Sequence, residues 1–197
     1  MAKPRSEDRR NAILSAAARV IASQGLAAAA TAAIAKEAGV SNGSLFVYFD
    51  TKGALLNELY LALKAEMTAA AAAGVDTAGE PREQVRRMWT QWLRWAVANP
   101  HKRRALAQLD VADDITDRSR QIAHAGFSAI ADLLNRSRAG GPMQDVPLSF
   151  VLTLVTAVAE ATIDAVIREP AEADARSSAG FDAAWRVLAG TPVPAAA

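Results

Sequence analysis

The sequence has no cysteine. That excludes disulfides, thiol chemistry and a cysteine-based zinc site, and it fits the cytoplasm. Only two histidines occur, His101 and His124, and neither has a partner at metal-ligand spacing. There is no phosphate-binding loop, glycine-rich dinucleotide turn, HExxH or nucleophile elbow, so no catalytic residue, cofactor or metal is expected. Aromatics make up 6% of the chain, and β-branched residues are scattered rather than gathered into strand-like runs. An excess of one charge is also missing: 22 Lys and Arg face 21 Asp and Glu, so bulk electrostatics select no partner. The charged N-terminus lacks a secretory apolar core. The longest apolar run, Leu148 to Ala159, is short for a membrane span and is followed by Glu160 and Asp164, so a buried helix and no membrane partner are expected.

What remains is an apolar, alanine-rich chain of 197 residues, 51% hydrophobic. Alanine is the strongest helix former, so the fold class is all-α, with about nine helices. Ile13, Leu14, Ala17, Val20 and Ile21 form one face of a helix over 7–24, which Gly25 ends. Short helices follow at 32–38, capped by Thr31, and at 42–48, capped by Ser41. Asp50 or Thr51 can cap a long helix over 52–73 with Leu55, Leu56, Leu59 and Leu63 on one side. Beyond the linker "AGVDTAGEP", helices are expected over 81–98, from Pro100, over 114–138, over 146–168 and over 178–189. The tail 191–197 reads as disordered.

The stretch "AGVSNGSLFVYF", Ala38 to Phe49, sets loop-forming residues directly against aromatic ones. A helix-turn-helix explains each oddity. Gly39 takes a backbone conformation that a β-carbon penalises, Val40 fills the corner, and Ser41 satisfies free N–H groups of the next helix. Asn42, Gly43 and Ser44 are small and polar, as an end entering a major groove must be. Leu45 and Phe49 face inward; Phe46, Val47 and Tyr48 point out.

The run "ILSAAARVIASQGL…TAAIAKEAGVSNGSLFVYFDTKGALL", residues 13–56, resembles the DNA-binding domain of the TetR family of bacterial transcriptional regulators. The alanine pair in the first helix, the glycine after it, "IA…AGVS.G.LF.YF" and the "K..L" that opens the next helix carry the likeness. It implies a helix-turn-helix domain over 1–51, a helical ligand-binding and dimerisation domain over 52–190, and a homodimeric repressor released from palindromic DNA by a small-molecule effector of unspecified identity. Two other readings stay open: an activator or effector-free regulator, and a helical ligand-binding or scaffolding protein whose reading head has lost DNA binding. One departure is local. Ala29, Ala30, Ala32 and Ala33 stand where the family often has hydroxylic or polar residues, which shifts sequence reading onto the helix at 42–48.

Roles follow from chemistry. Asn42 can pair with an adenine edge, and Phe46 offers a flat surface to a thymine methyl, beside Gly43 and Val47. Ser44, Tyr48 and Thr31 suit phosphate, which hydroxyls position without reading sequence. Lys52 opposes the dipole at the start of its helix, a placement that a nearby phosphate explains. Arg9 and Arg10 can flank the same backbone, whereas Lys102, Arg103 and Arg104 read as a solvated face. In the remaining helices, Met88 and Trp92 can line an effector cavity with Phe127, Phe150 and Leu154. The helix over 146–168 is apolar nearly all round, so two sides need cover. Val151, Leu154 and Val158 are expected to face the chain's own core. Leu152, Val155, Ala159, Ile163 and Val166, joined by Phe181, Trp185 and Leu188, are expected to form the dimer seam.

Overall fold

A computed structural model describes residues 3–76 and 78–190, and the tail expected to be disordered lies outside them. The described residues form ten α-helices and one 3-10 turn, with no strand. They are α1 (Lys3–Gln24), α2 (Thr31–Glu37), α3 (Asn42–Tyr48), α4 (Lys52–Ala72), α5 (Pro81–Ala98), α6 (Pro100–Asp110), α7 (Asp117–Gly126), α8 (Ser128–Ser137), α9 (Leu148–Arg168) and α10 (Ala173–Leu188). The turn, Pro170–Glu172, leads straight into α10.

Two differences from the sequence reading have identifiable causes, one local and one tertiary. The helix expected over 114–138 is two helices, broken at Phe127. Gly126 precedes the break and costs a helix interior roughly 1 kcal/mol against alanine. The last helix starts before 178 because its seat on α9 overrides Ser177, Ser178 and Gly180, all poor helix formers. Gly180 has no β-carbon for good reason: one placed there would lie 2.8 Å from Thr162 Cγ2.

The chain packs as two compact units, one running up to Glu66 and resuming at Asn99–Ala125, the other comprising Met67–Ala98 and the chain from Gly126 onward. In the first, Ile13, Ile21, Ile34, Leu45, Phe49, Leu55, Leu56, Leu59 and Leu109 are fully buried. Polar side chains join its parts. Gln108 of α6 accepts from the Leu26 N–H at 2.7 Å and donates to the Ile21 carbonyl at 3.2 Å, so it serves the end of α1. Asn57 of α4 donates to the Asp114 carbonyl at 2.8 Å and accepts from the Thr116 N–H at 2.9 Å.

In the second unit α9 lies along α10, and α5 packs on α8, α9 and α10. Trp89 meets Trp92 edge-on at 6.1 Å and Phe181 at 6.4 Å, and Phe181 stacks on Trp185 at 6.1 Å. The Trp89 indole N–H donates to the Ser177 carbonyl at 3.2 Å. With its 21 residues and a mean hydropathy of 1.9 over its most apolar stretch, α9 is long and apolar enough to cross a membrane. Val151, Ala159, Thr162 and Ile163 along it are buried in the unit, but only 22% of its most apolar stretch is, so α9 is not the buried helix the sequence leads one to expect.

Candidate nucleic-acid interface

Backbone chemistry sets the turn between α2 and α3. Gly39 has φ +68°. Its N–H donates to the Lys36 carbonyl and the Val40 N–H to the Ala35 carbonyl, at 3.1 and 3.0 Å, closing α2 with two crossed bonds. Ser41 then sits extended at the start of α3 and accepts from the Ser44 N–H at 3.0 Å. The two hydroxyls, Ser41 and Ser44, are also 2.8 Å apart. Thr31 does not cap α2. The helix begins one residue earlier than expected, so Ala30 holds the cap position and Thr31 is the first helical residue. At α4 the alternatives resolve to Thr51, whose hydroxyl accepts from the Ala54 N–H at 3.0 Å.

Leu45 and Phe49 are fully buried, which fixes α3 on its scaffold. Gly43 and Val47, two residues to either side of Leu45, lie on the opposite face. Val47 is 81% exposed and Phe46 40%. Asn42 and Gly43 are exposed, and Ser44 and Tyr48 are half-buried. The outer face thus carries one amide at its start, an apolar centre, and hydroxyls along one flank.

Cations stand around this helix. Arg9 lines a concavity of about 380 Å³ together with Gly39, Val40, Ser41, Ser44, Val47 and Tyr48. Lys52 opens α4 and is half-buried. Among the described residues no carboxylate pairs with either. Arg10 is turned the other way. It forms an ion pair with Glu58, and its guanidinium lies 5.4 Å from the Phe49 ring centre. It therefore ties α1 to α3 and α4 rather than reaching outward. Arg19 pairs with Glu37 at 2.7 Å and holds α1 to α2. Lys102, read as a solvated face, pairs with Glu66 at 2.7 Å. Gln108, which seats α1, was invisible in the sequence, because a half-buried glutamine on a helix carries no local signal.

The residues expected to line an effector cavity are spread out. Met88 is buried, Trp92 and Leu154 are half-exposed, and Phe127 sits at the break before α8. Phe150 is 53% exposed, on the side of α9 opposite Ala159, so it does not line an interior cavity of this unit. The seam residues need correction too. Ala159, Ile163, Phe181 and Leu188 are already buried within the single chain. Leu152, Val155 and Val166 share that arc and are half-buried, as is Trp185. The cause is α10, which approaches α9 so closely at Gly180 and Thr162 that it covers the side expected to await a partner.

Residues 13–59 match the family described as bacterial regulatory proteins, tetR family. Solved structures share the fold over nearly the whole chain. A putative tetR family transcription regulator from Shewanella sp. PV-4 is 29% identical, with a TM-score of 0.81 over 92% of this chain and 98% of its own. A TetR family transcription regulator from Marinobacter aquaeolei VT8 is 22% identical, with a TM-score of 0.79 over 94% and 97%. The TetR-like regulator LfrR from Mycobacterium smegmatis, solved in complex with proflavine, is 21% identical, with a TM-score of 0.66 over 94% and 98%. Residues 13–59 are thus similar to the tetR family of bacterial regulatory proteins, and the described helices share the fold of these regulators over nearly the whole chain.

Proposed function

We propose that the chain is a cytoplasmic, homodimeric repressor that grips palindromic duplex DNA through α3 and lets go when a small molecule binds its second unit. The observation that carries this reading is α3 itself. A helix pinned by Leu45 and Phe49 presents Asn42, Gly43, Phe46 and Val47 outward, with Tyr48, Arg9 and Lys52 around it. Hydroxyls and cations suit the phosphates, and the amide and apolar groups suit base edges.

The dimer reading rests on the outer side of α9. Phe150, Leu154, Ala157 and Ala161 recur there at helical spacing, apolar and exposed or half-exposed. A second copy laid on this stripe about a two-fold axis gives a self-complementary interface, matching a palindromic site. The effector reading rests on the half-buried Trp92 and Trp185, which flank the packed Trp89 and Phe181 and suit an apolar or amphipathic molecule. The proflavine complex of a protein with the same fold is in keeping with that class. Continuous from one unit into the other, α4 is the natural lever: a ligand that favours one of two states shifts the spacing of the reading helices.

A gel-shift with the DNA upstream of the chain's own gene tests this reading. A retarded, competitor-resistant band that Asn42→Ala weakens is expected. Retardation that any duplex competes away equally well would overturn it.

A further inference from the structure

The centre of the outward face of α3 has almost no hydrogen-bonding capacity. Next to the exposed Asn42 stands Gly43, without a side chain, and one turn later Val47, 81% exposed. Phe46, 40% exposed, flanks them. Of the polar groups on this helix, the Ser44 hydroxyl is engaged by Ser41 at 2.8 Å, and Tyr48 is half-buried on the flank. Asn42 alone offers an exposed amide. Val47 adds little to folding where it stands, since a mostly exposed valine lowers helix propensity and buries little surface, and Phe46 leaves 40% of its surface uncovered. In the major groove the C5-methyl of thymine is the one alkyl group a base pair presents, beside an array of donors and acceptors. Set against cytosine or guanine, Val47 and Phe46 would leave those groups desolvated and unpaired, at a cost.

We infer that Val47 and Phe46 are specificity-determining residues that read C5-methyl groups, so that each operator half-site carries thymines, or methylated cytosines, opposite them. This rests on the DNA-binding reading above and adds the chemistry of the site read. Discrimination comes from burying a methyl group and excluding unpaired polar edges rather than from a dense set of hydrogen bonds. Asn42 fixes the register beside this patch.

The test begins by selecting bound duplexes from a random pool with the full chain and measuring affinity for the winner. Thymine is then replaced by deoxyuridine, one symmetric pair of positions at a time. Deoxyuridine pairs identically and lacks only the methyl. Burial of a methyl group sets the expected effect at about fifteenfold weaker binding per symmetric pair at the contacted positions, and none elsewhere. Replacing those thymines by 5-methylcytosine, with guanine opposite, should retain more affinity than replacement by cytosine. The Val47→Ala protein, altered at a mostly exposed site, should no longer distinguish thymine from deoxyuridine at its position, so the two changes are non-additive. Binding that ignores deoxyuridine at every position, or a Val47→Ala protein that still discriminates fully, would overturn the inference while leaving DNA binding intact. A pool from which no sequence is enriched would remove the DNA-binding reading and this inference with it.

Discussion

Under the proposed reading Asn42 and Lys52 both meet DNA but answer to different physics. A side-chain amide can satisfy two groups on one adenine, so its loss is felt at one base pair. Asn42→Ala is expected to cost about 1–3 kcal/mol per half-site and to relax preference at that pair alone. Uniform weakening across a panel of operator variants would make Asn42 a structural residue. Lys52 carries charge, and a neutralised phosphate shows itself through the salt it releases. Lys52→Ala should weaken binding to all sequences alike and lower the log–log salt slope by about 1 per half-site. A slope that does not move would take Lys52 off the phosphate. Arg10, by contrast, is committed to Glu58 and Phe49, so its removal should register in thermal melts rather than in the salt slope.

Elements were legible where their cause was local. Gly39, Val40 and Ser41 spell out a turn because a positive φ, two crossed backbone bonds and a serine cap are properties of a few consecutive residues. The four leucines of α4, 55, 56, 59 and 63, are all buried as their spacing foretold. Elements set by tertiary contact were not legible. The start of α10 depends on α9 beneath it, and the break at Phe127 is marked by a single glycine. Facing was hardest for α9, because a helix apolar all round has no phase to read. Val151 is buried as its expected inward facing requires, whereas Ala159 and Ile163, expected at a seam, are already buried within the single chain. The close crossing at Gly180 makes the point testable. Gly180→Ala should destabilise the second unit by about 1–3 kcal/mol through overpacking on Thr162, read as a lower urea midpoint. Adding Thr162→Ala should recover part of that loss, since the clash is with the threonine hydroxyl and methyl. Additive effects of the two changes would mean that the helices simply move apart.

For the whole molecule, the proposed assembly depends on which side of α9 is free. Ala157 is exposed in the single chain, and Ala159 is fully buried. Ala157→Arg should therefore leave an isolated chain folded while splitting the dimer, as two like charges would meet near the axis. Ala159→Arg should unfold the second unit outright, since an unpaired buried charge is among the most destabilising changes known. Light scattering and circular dichroism separate the two. An Ala157→Arg protein that remains dimeric would show that the seam lies elsewhere.

A footprint of the full chain on its selected duplex bears most directly on the account as a whole. The account predicts two protected half-sites related by a two-fold axis, their centres about 34–36 Å apart or a multiple of that along the helix, with thymine methyls inside each. Protection should vanish with Ala157→Arg although α3 is untouched. One unsymmetrical protected patch, unchanged by Ala157→Arg, would contradict a dimer that reads a palindrome through paired α3 helices.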